Sequence, residues 1–316
     1  MQIIALIAGQ SYEVYDMGDV VSIDVGAVNL RAALVDRDSK KLRKVHKEAV
    51  DCEDLMRQIY SIVDKIGKFR GIGISMPGTL DMNRGILCYS PNLNLRNINV
   101  VELMQDRYHV DVSLSNDETA AVMGEKLFGA GKKLGNVVHL TLGTGIGCGV
   151  ILNDRLLLGK DGNAHEVGHV TIDASGAMRC GCGAMGHWEA YCSGRDIPNF
   201  ARLLLDTRYR NEKSVLKGMR KLSTRSVYGA ARSDKVAAKI VNEVGRLNAI
   251  GIANIIDCYD PELITIGGAI ALNHQSTVLK PILAQVKSHA INKVPKIMIT
   301  PLGETASLYG AVADFL

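Results

Sequence analysis

The chain predicts an α/β fold of two similar lobes, and three observations carry that prediction. Glycines bunch at the ends of apolar, β-rich runs. A unit of strand, glycine turn and strand occurs twice, with Gly143 lying 117 residues after Gly26. Each copy opens a stretch in which strand and helix patterns are mixed, as in a duplicated α/β protein, and duplication implies a cleft between the copies. Composition agrees. The 316 residues hold 37 Lys and Arg against 33 Asp and Glu, a net charge of +4, with 47% hydrophobic and 22% charged residues. Those values exclude a disordered chain and a coiled coil. The 32 glycines exceed the usual share of about 7%. So weak a positive charge, with no dense basic block, argues against a nucleic-acid partner; Lys40, Lys41, Arg43, Lys44 and Lys47 read as a solvated hairpin or loop. The opening apolar run lacks a basic flank, and no stretch of about 18 apolar residues occurs, so no membrane partner is expected. Seven cysteines without a framework of spaced pairs suit a reducing, cytoplasmic compartment.

The elements follow in order. Residues 20–25 and 30–36 form the first hairpin, turning near Gly26 to Asn29. Phe69 to Gly78 is a buried strand closed by Pro77-Gly78. Val110 to Asn116 is a strand that runs into a helix over Glu118 to Phe128, with Asn116 or Asp117 as N-cap and the Asp117 carboxylate at the strand end. The second hairpin spans 138–153. After Asp234 a long helix reaches about Asp257; Asp260-Pro-Glu turns the chain, and Leu263 to Gly268 is a strand ending in paired glycines. Glycine at a buried strand end lets backbone N–H groups approach an anion with no Cβ in the way. Neither a P-loop nor a dinucleotide fingerprint is present.

Taken in sequence, Asp24-Val-Gly26, Gly73-Ile-Ser-Met-Pro-Gly78, Asn116-Asp117, Thr141-Leu-Gly-Thr-Gly-Ile-Gly147, Glu166-Val-Gly-His169, Cys180-Gly-Cys182-Gly with Glu189, and Asp260 to Gly268 resemble the ROK (repressor, open reading frame, kinase) family of sugar kinases. The resemblance runs from about Val20 to the C-terminus. It implies an actin-like, hexokinase-like fold of two α/β lobes, residues 1–118 as the small lobe completed by a C-terminal helix at 304–316, and 119–303 as the large lobe. It implies a homodimer as well. About 19 residues precede the first motif, too few for the helix-turn-helix of the repressor branch.

The same resemblance implies the site. Gly78, Asn92, Asn116, Asp117, Glu166, His169 and Glu189 become sugar ligands, and Asp117 the general base. Asp24, Gly26, Thr144, Gly145, Gly147, Gly267 and Gly268 become the nucleotide side, for ATP with Mg²⁺, joined by Asn29 and Arg31 as the residues available to compensate for the altered first turn. His169, Cys180, Cys182 and His187 form a closed structural zinc site in segment 165–192, two thiolates and two imidazoles in a tetrahedron. The family usually places cysteine where this chain has His187. His169 would meet sugar through one ring nitrogen and zinc through the other. The implied reaction moves the γ-phosphoryl of ATP to the 6-hydroxyl of a hexose or N-acetylhexosamine; Glu166 and the Asn92-Leu-Asn-Leu-Arg96 stretch favour glucose. Where the family shows Asp-x-Gly-Gly-Thr, this chain has Asp24-Val-Gly-Ala27-Val28. That departure keeps a changed phosphoryl donor, or a sugar-binding regulator without catalysis, as alternatives. His165-Glu-Val-Gly-His169 also matches the His-Glu-x-x-His of zinc metalloproteases. That motif needs a helix, which Gly162 and Gly168 oppose, and Val170-Thr-Ile172 continues as strand.

Overall fold

The computed structural model describes residues 18–37 and 39–316. The reading of the first 19 residues as too short for a DNA-binding domain falls almost wholly on 1–17, outside the described residues. Two compact units result. The first takes the described residues up to Gly135, with Gly149–His165 and Thr305–Leu316; the second takes Asn136–Cys148 and Glu166–Glu304.

In the first unit the chain runs β1 Val20–Val25, β2 Asn29–Asp36, β3 Lys41–Ala49, α1 Leu55–Asp64, β4 Gly71–Met76, β5 Thr79–Asp81, β6 Ile86–Ser90, β7 Leu95–Asn99, α2 Val100–Tyr108, β8 Asp111–Asn116 and α3 Asp117–Leu127. A five-stranded sheet has the order β3-β2-β1-β4-β8, and β5-β6-β7 make a separate meander. β1 and β4 are buried at every position, as central strands covered on both faces must be. The lysine-rich stretch is the exposed edge strand β3; its charges discourage edge-to-edge pairing with another chain. The core gathers Ile23, Leu30, Ile59, Ile72, Ile74 and Met104.

The remaining elements are β9 Val137–Leu142, β10 Ile146–Leu152, β11 Arg155–Leu156, α4 Glu189–Cys192, α5 Ile197–Asp206, α6 Thr224–Ala230, α7 Lys235–Tyr259, β12 Leu263–Gly267, α8 Gly268–Asn273, α9 Gln275–Gln285, β13 Lys296–Ile299 and α10 Ala306–Ala311. Their sheet has the order β11-β10-β9-β12-β13. Both five-stranded sheets thus read third, second, first, fourth, fifth along the chain, which is the duplication expected from the glycine hairpins. β9, β12 and β13 are parallel. Asp234 caps α7, its carboxylate accepting the N–H groups of Val236 and Ala237 at 2.8 and 2.9 Å. The only tryptophan, Trp188, packs on Gly251 of α7 and donates to Asn248 Oδ1 at 2.9 Å.

Two local expectations change. A boundary after residue 118 would cut α3, which instead stays whole in the first unit together with 119–135 and 149–165. The reason is packing: a Cβ on Gly124 would strike the Ala306 carbonyl, and one on Gly310 the Ala120 carbonyl, so α3 and α10 touch backbone to backbone. Val170 to Ile172, expected as a strand, makes an isolated bridge between Thr171 and His187. The N–H groups of Ile172 and Asp173 both go to the Gly186 carbonyl, which bends the segment before a ladder can extend.

Gly310→Val drives two methyl groups into rigid helix backbone. It is expected to destabilise the protein by about 3 kcal/mol, the upper part of the usual overpacking range, read as a lowered urea midpoint; a midpoint equal to wild type refutes the close contact.

Candidate functional site

Asn116 ends β8 and caps α3. Its Oδ1 accepts the N–H groups of Glu118 and Thr119 at 2.9 and 3.4 Å, and its Nδ2 donates to the Gly78 carbonyl at 3.4 Å. Asn116, not Asp117, is therefore the cap, and Asp117 is the first helical residue, half-buried, with Oδ1 3.1 Å from the Glu118 N–H. The carboxylate stands at the carboxyl end of a parallel strand and the positive end of a helix, where an ionised acid is favoured. Gly78 has φ +120°, and a Cβ there would meet the Tyr89 carbonyl, so only glycine fits. Asn92 lies in the exposed turn between β6 and β7.

The first glycine hairpin is electrostatically occupied. Sheet register sets Arg31 opposite Asp24 on one side and Ser75 opposite it on the other. Arg31 Nη1 is 3.0 Å from Asp24 Oδ2, and Ser75 Oγ donates to Oδ1 at 2.9 Å. Burial pushes the Asp24 carboxyl above its usual range; Arg31 and the hydroxyls of Ser75 and Ser307 pull it back. Gly26 N–H closes the turn on the Asn29 carbonyl at 2.9 Å, leaving Val28 at the tip 61% exposed.

In the second unit, Gly143 N–H closes its turn on the Gly145 carbonyl at 3.0 Å, and Thr144 is exposed at the tip. Gly268, φ +84°, opens α8, and a Cβ there would strike the Leu142 carbonyl; Gly267 precedes it as N-cap. The Gly143–Gly147 and Gly267–Gly268 turns are thus in direct contact. Glu189 sits beneath the first of them. Its Oε2 accepts the Ile146 N–H at 2.9 Å, and the same oxygen lies 2.6 Å from where a Cβ on Gly145 would be. Its Oε1 accepts from Arg195 Nη2 at 2.9 Å.

His169, Cys180, Cys182 and His187 come together, each offering a donor atom, all four within 4.8 Å of one another. Cys180 Sγ is 3.6 Å from His169 Nδ1, and Cys182 Sγ is 3.2 Å from His187 Nδ1. Zn–S of about 2.3 Å and Zn–N of about 2.0 Å set tetrahedral edges of about 3.5 Å, so the donor set fits zinc. Backbone geometry prepares it: Cys180 N–H bonds Ala184, and Gly183 N–H bonds Cys180, closing a tight knuckle. Burial pushes the Cys180 thiol up to about 11 and holds His187 below its usual range. Neutral imidazole and thiolate are the ligating forms, and a bound cation would favour loss of the thiol protons. The other nitrogen of His169, Nε2, lies 3.7 Å from Glu166 Oε2.

The metalloprotease geometry is absent. His165-Glu-Val-Gly-His169 holds a single 3-10 turn, Val167–His169, in place of a helix, and His165 is not among the clustered donors. Cys192 is core, buried, with Sγ 3.5 Å from the Val244 carbonyl. Arg195, Ser75 and Ser307 escaped the sequence reading, because only strand register and loop packing bring them to Glu189 and Asp24.

The solved structure of a ROK family glucokinase from Streptomyces griseus, in complex with glucose and AMPPNP, superposes with a TM-score of 0.80 at 29% identity, over 94% of this chain and 99% of that one. Fold and sheet order define a protein of the actin-like, hexokinase-like α/β class. The chain belongs to the ROK family, whose profile matches residues 20–315. It is 32% identical to a glucokinase of Aeropyrum pernix over 94% of this chain and 96% of that protein. It is 29% identical to the xylose repressor of Bacillus spizizenii over 93% of this chain and 76% of that one.

Arg31→Leu leaves the buried Asp24 carboxylate without its counter-ion. The expected loss is about 3–5 kcal/mol at pH 7. Because the folded-state pKa of Asp24 is raised, the cost of its charge is present above that pKa and fades as pH falls through it towards the unfolded value. Urea unfolding at pH 7 and pH 5 checks this; a loss that does not shrink at the lower pH refutes the charge as its cause.

Proposed function

We propose that the protein is an ATP-dependent sugar kinase that transfers the γ-phosphoryl group to the 6-hydroxyl of a hexose, with glucose favoured over N-acetylglucosamine and N-acetylmannosamine. The observation that carries the reading is the β8–α3 junction. There the Asn116 amide is locked as helix cap and bound to Gly78, so the adjacent Asp117 carboxylate is held on rigid backbone rather than on a loop. Membership of a family with glucokinases at 32% identity supports it. In this reading Asp117 accepts the proton of the sugar hydroxyl as that oxygen attacks phosphorus in line. Asn116, Glu166, His169 and Glu189, with Gly78 and Asn92 at the rim, bind the other hydroxyls; carboxylate, amide and imidazole together offer both donors and acceptors to groups that need both.

Backbone N–H groups around Thr144, Gly145, Gly147, Gly267 and Gly268, with the hairpin of Asp24, Gly26, Asn29 and Arg31, serve the nucleotide. Mg²⁺ bound with ATP supplies charge neutralisation at the phosphate oxygens. Zinc held by His169, Cys180, Cys182 and His187 is structural, bracing the imidazole of His169 while its Nε2 stays available to sugar. The reading also takes the protein to be cytoplasmic and homodimeric. No helix among the described residues is long and apolar enough to cross a membrane.

A second reading, a sugar-binding regulator without catalysis, is favoured by one place. Val28 stands exposed at the tip where the family pattern has a hydroxyl, and Arg31 occupies Asp24. A coupled assay with ATP against glucose, N-acetylglucosamine and N-acetylmannosamine separates the two, since a regulator binds sugar without consuming ATP.

Asp117→Asn is expected to fold and bind glucose while kcat falls by about 10²-fold or more; near-normal turnover removes Asp117 as base. Cys182→Ser is expected to lower zinc from one atom per chain to a small fraction, read by elemental analysis, because a hydroxyl is a poor replacement for a thiolate in a soft donor set. An unchanged zinc content removes Cys182 from the site.

A further inference from the structure

One charged side chain near the site has no role in the reading above. Arg195 lies between two features that the sequence treats as separate, the glycine turn after β9 and the cysteine knuckle. Its Nη2 donates to Glu189 Oε1 at 2.9 Å, and the other oxygen of Glu189 accepts the Ile146 N–H at 2.9 Å. Its Nε donates at 3.1 Å to Oδ2 of the buried Asp196, which also takes the Ser193 hydroxyl at 3.0 Å. On the knuckle side the guanidinium covers Gly181, between Cys180 and Cys182. A Cβ placed on Gly181 would find Arg195 Nη2 at 2.5 Å, and its three nearest atoms all belong to that guanidinium. Backbone contacts run in parallel: Gly194 N–H bonds the Gly143 carbonyl at 2.7 Å, and Arg195 N–H bonds Thr144 at 3.3 Å.

We infer that Arg195 is a positioning residue, a strut that holds the Glu189 carboxylate between the knuckle and the Ile146 N–H and so sets both the sugar-facing orientation of Glu189 and the shape of the glycine turn. The kinetic part of this inference rests on the reading of Glu189 as a sugar ligand; the structural part does not. A planar guanidinium can serve two carboxylates at once in fixed directions, whereas an ammonium is a single point charge. With both oxygens of Glu189 engaged by fixed donors, only its remaining lone pairs face substrate, and their direction is set before sugar arrives. The knuckle then reaches the turn through Arg195 beside the direct contact of Cys180, whose Sγ lies 3.9 Å from Glu189 Oε1, because a glycine at 181 leaves the guanidinium the space it fills.

The test uses the zinc-loaded full chain as wild type, Arg195→Gln, Gly181→Ala and the double variant. Gly181→Ala places its methyl on the guanidinium and touches no substrate, so it should displace Arg195 and act in the same direction. Amide hydrogen exchange, read on a peptide containing Ile146, is expected to quicken by about tenfold in Arg195→Gln as that N–H loses its fixed acceptor. The glucose KM, or the calorimetric glucose Kd if the chain does not turn over, is expected to rise by about tenfold with kcat within about threefold, the signature of lost binding common to ground and transition states. Zinc content stays at the wild-type level, which separates the strut from collapse of the knuckle. The double variant should be no worse than Arg195→Gln, since both changes remove one interaction. Arg195→Lys should recover only part of the loss. Unchanged exchange at Ile146, or a Gly181→Ala effect that adds in full on top of Arg195→Gln, overturns the strut. A wild-type chain that binds none of glucose, N-acetylglucosamine and N-acetylmannosamine removes Glu189 as a sugar ligand and leaves exchange to judge the strut alone.

Discussion

The first unit depends on the close approach of α10 to α3. With Gly124 and Gly310 facing carbonyls of the opposite helix, no side chain separates the two backbones. The same C-terminal stretch lies on the sheet: Ser22 Oγ donates to the Leu308 carbonyl at 2.5 Å, and Gly73 leaves no room for a Cβ against the Ala311 carbonyl. Contacts of this kind are stiff, because backbone cannot change rotamer to relieve a clash. Asp117 stands at the head of α3, so the last residues of the chain help to fix the position of the candidate base. A helix held on one face by backbone and at its start by the Asn116 cap has little freedom left to move that carboxylate.

Electrostatics divides the two glycine hairpins more sharply than their shared topology suggests. In the first, a buried carboxylate already has an arginine and two hydroxyls as partners, and the tip carries an exposed valine. In the second, the tip carries the Thr144 hydroxyl, and the carboxylate beneath it, Glu189, holds the turn from below through the Ile146 N–H. The duplication kept the strand order and altered the charge. The first turn holds a carboxylate already paired with Arg31, whereas the second has its Gly143 and Ile146 N–H groups bonded to the Gly145 carbonyl and to Glu189, with the start of α8 packed against it.

Much of the fold was legible because the signals were local. Periodicity and capping residues located α3 and α7 to within about two residues at each end, and Asp234 caps α7 as its chemistry suggests. The segment after His169 misled because Val-Thr-Ile is a strand-like triplet whose Ile172 N–H, with that of Asp173, is claimed by the Gly186 carbonyl, a partner that no local pattern reveals. Asn116 and Asp117 could not be told apart as cap from sequence, since either side chain can accept the N–H groups of a first turn. Strand termination at Asn116 decided it. The domain boundary was displaced for a similar reason: α3 takes its unit from α10, which is distant in the chain.

What the sequence determined by itself is the chemical inventory and its order: two glycine hairpins, an Asn-Asp pair after a strand, two cysteines and two histidines at metal-ligand spacing, and the loss of Gly-Thr at 27 and 28. Each of these is a property of neighbours along the chain, where spacing and side-chain chemistry suffice. Tertiary structure alone decided the partnerships. It put Arg31 and Ser75 on opposite sides of Asp24, converged four donors to within 4.8 Å, and set Arg195 between Glu189 and Gly181. Those pairings depend on sheet register and on the absence of a Cβ at particular contacts, and both are set by residues far apart in sequence.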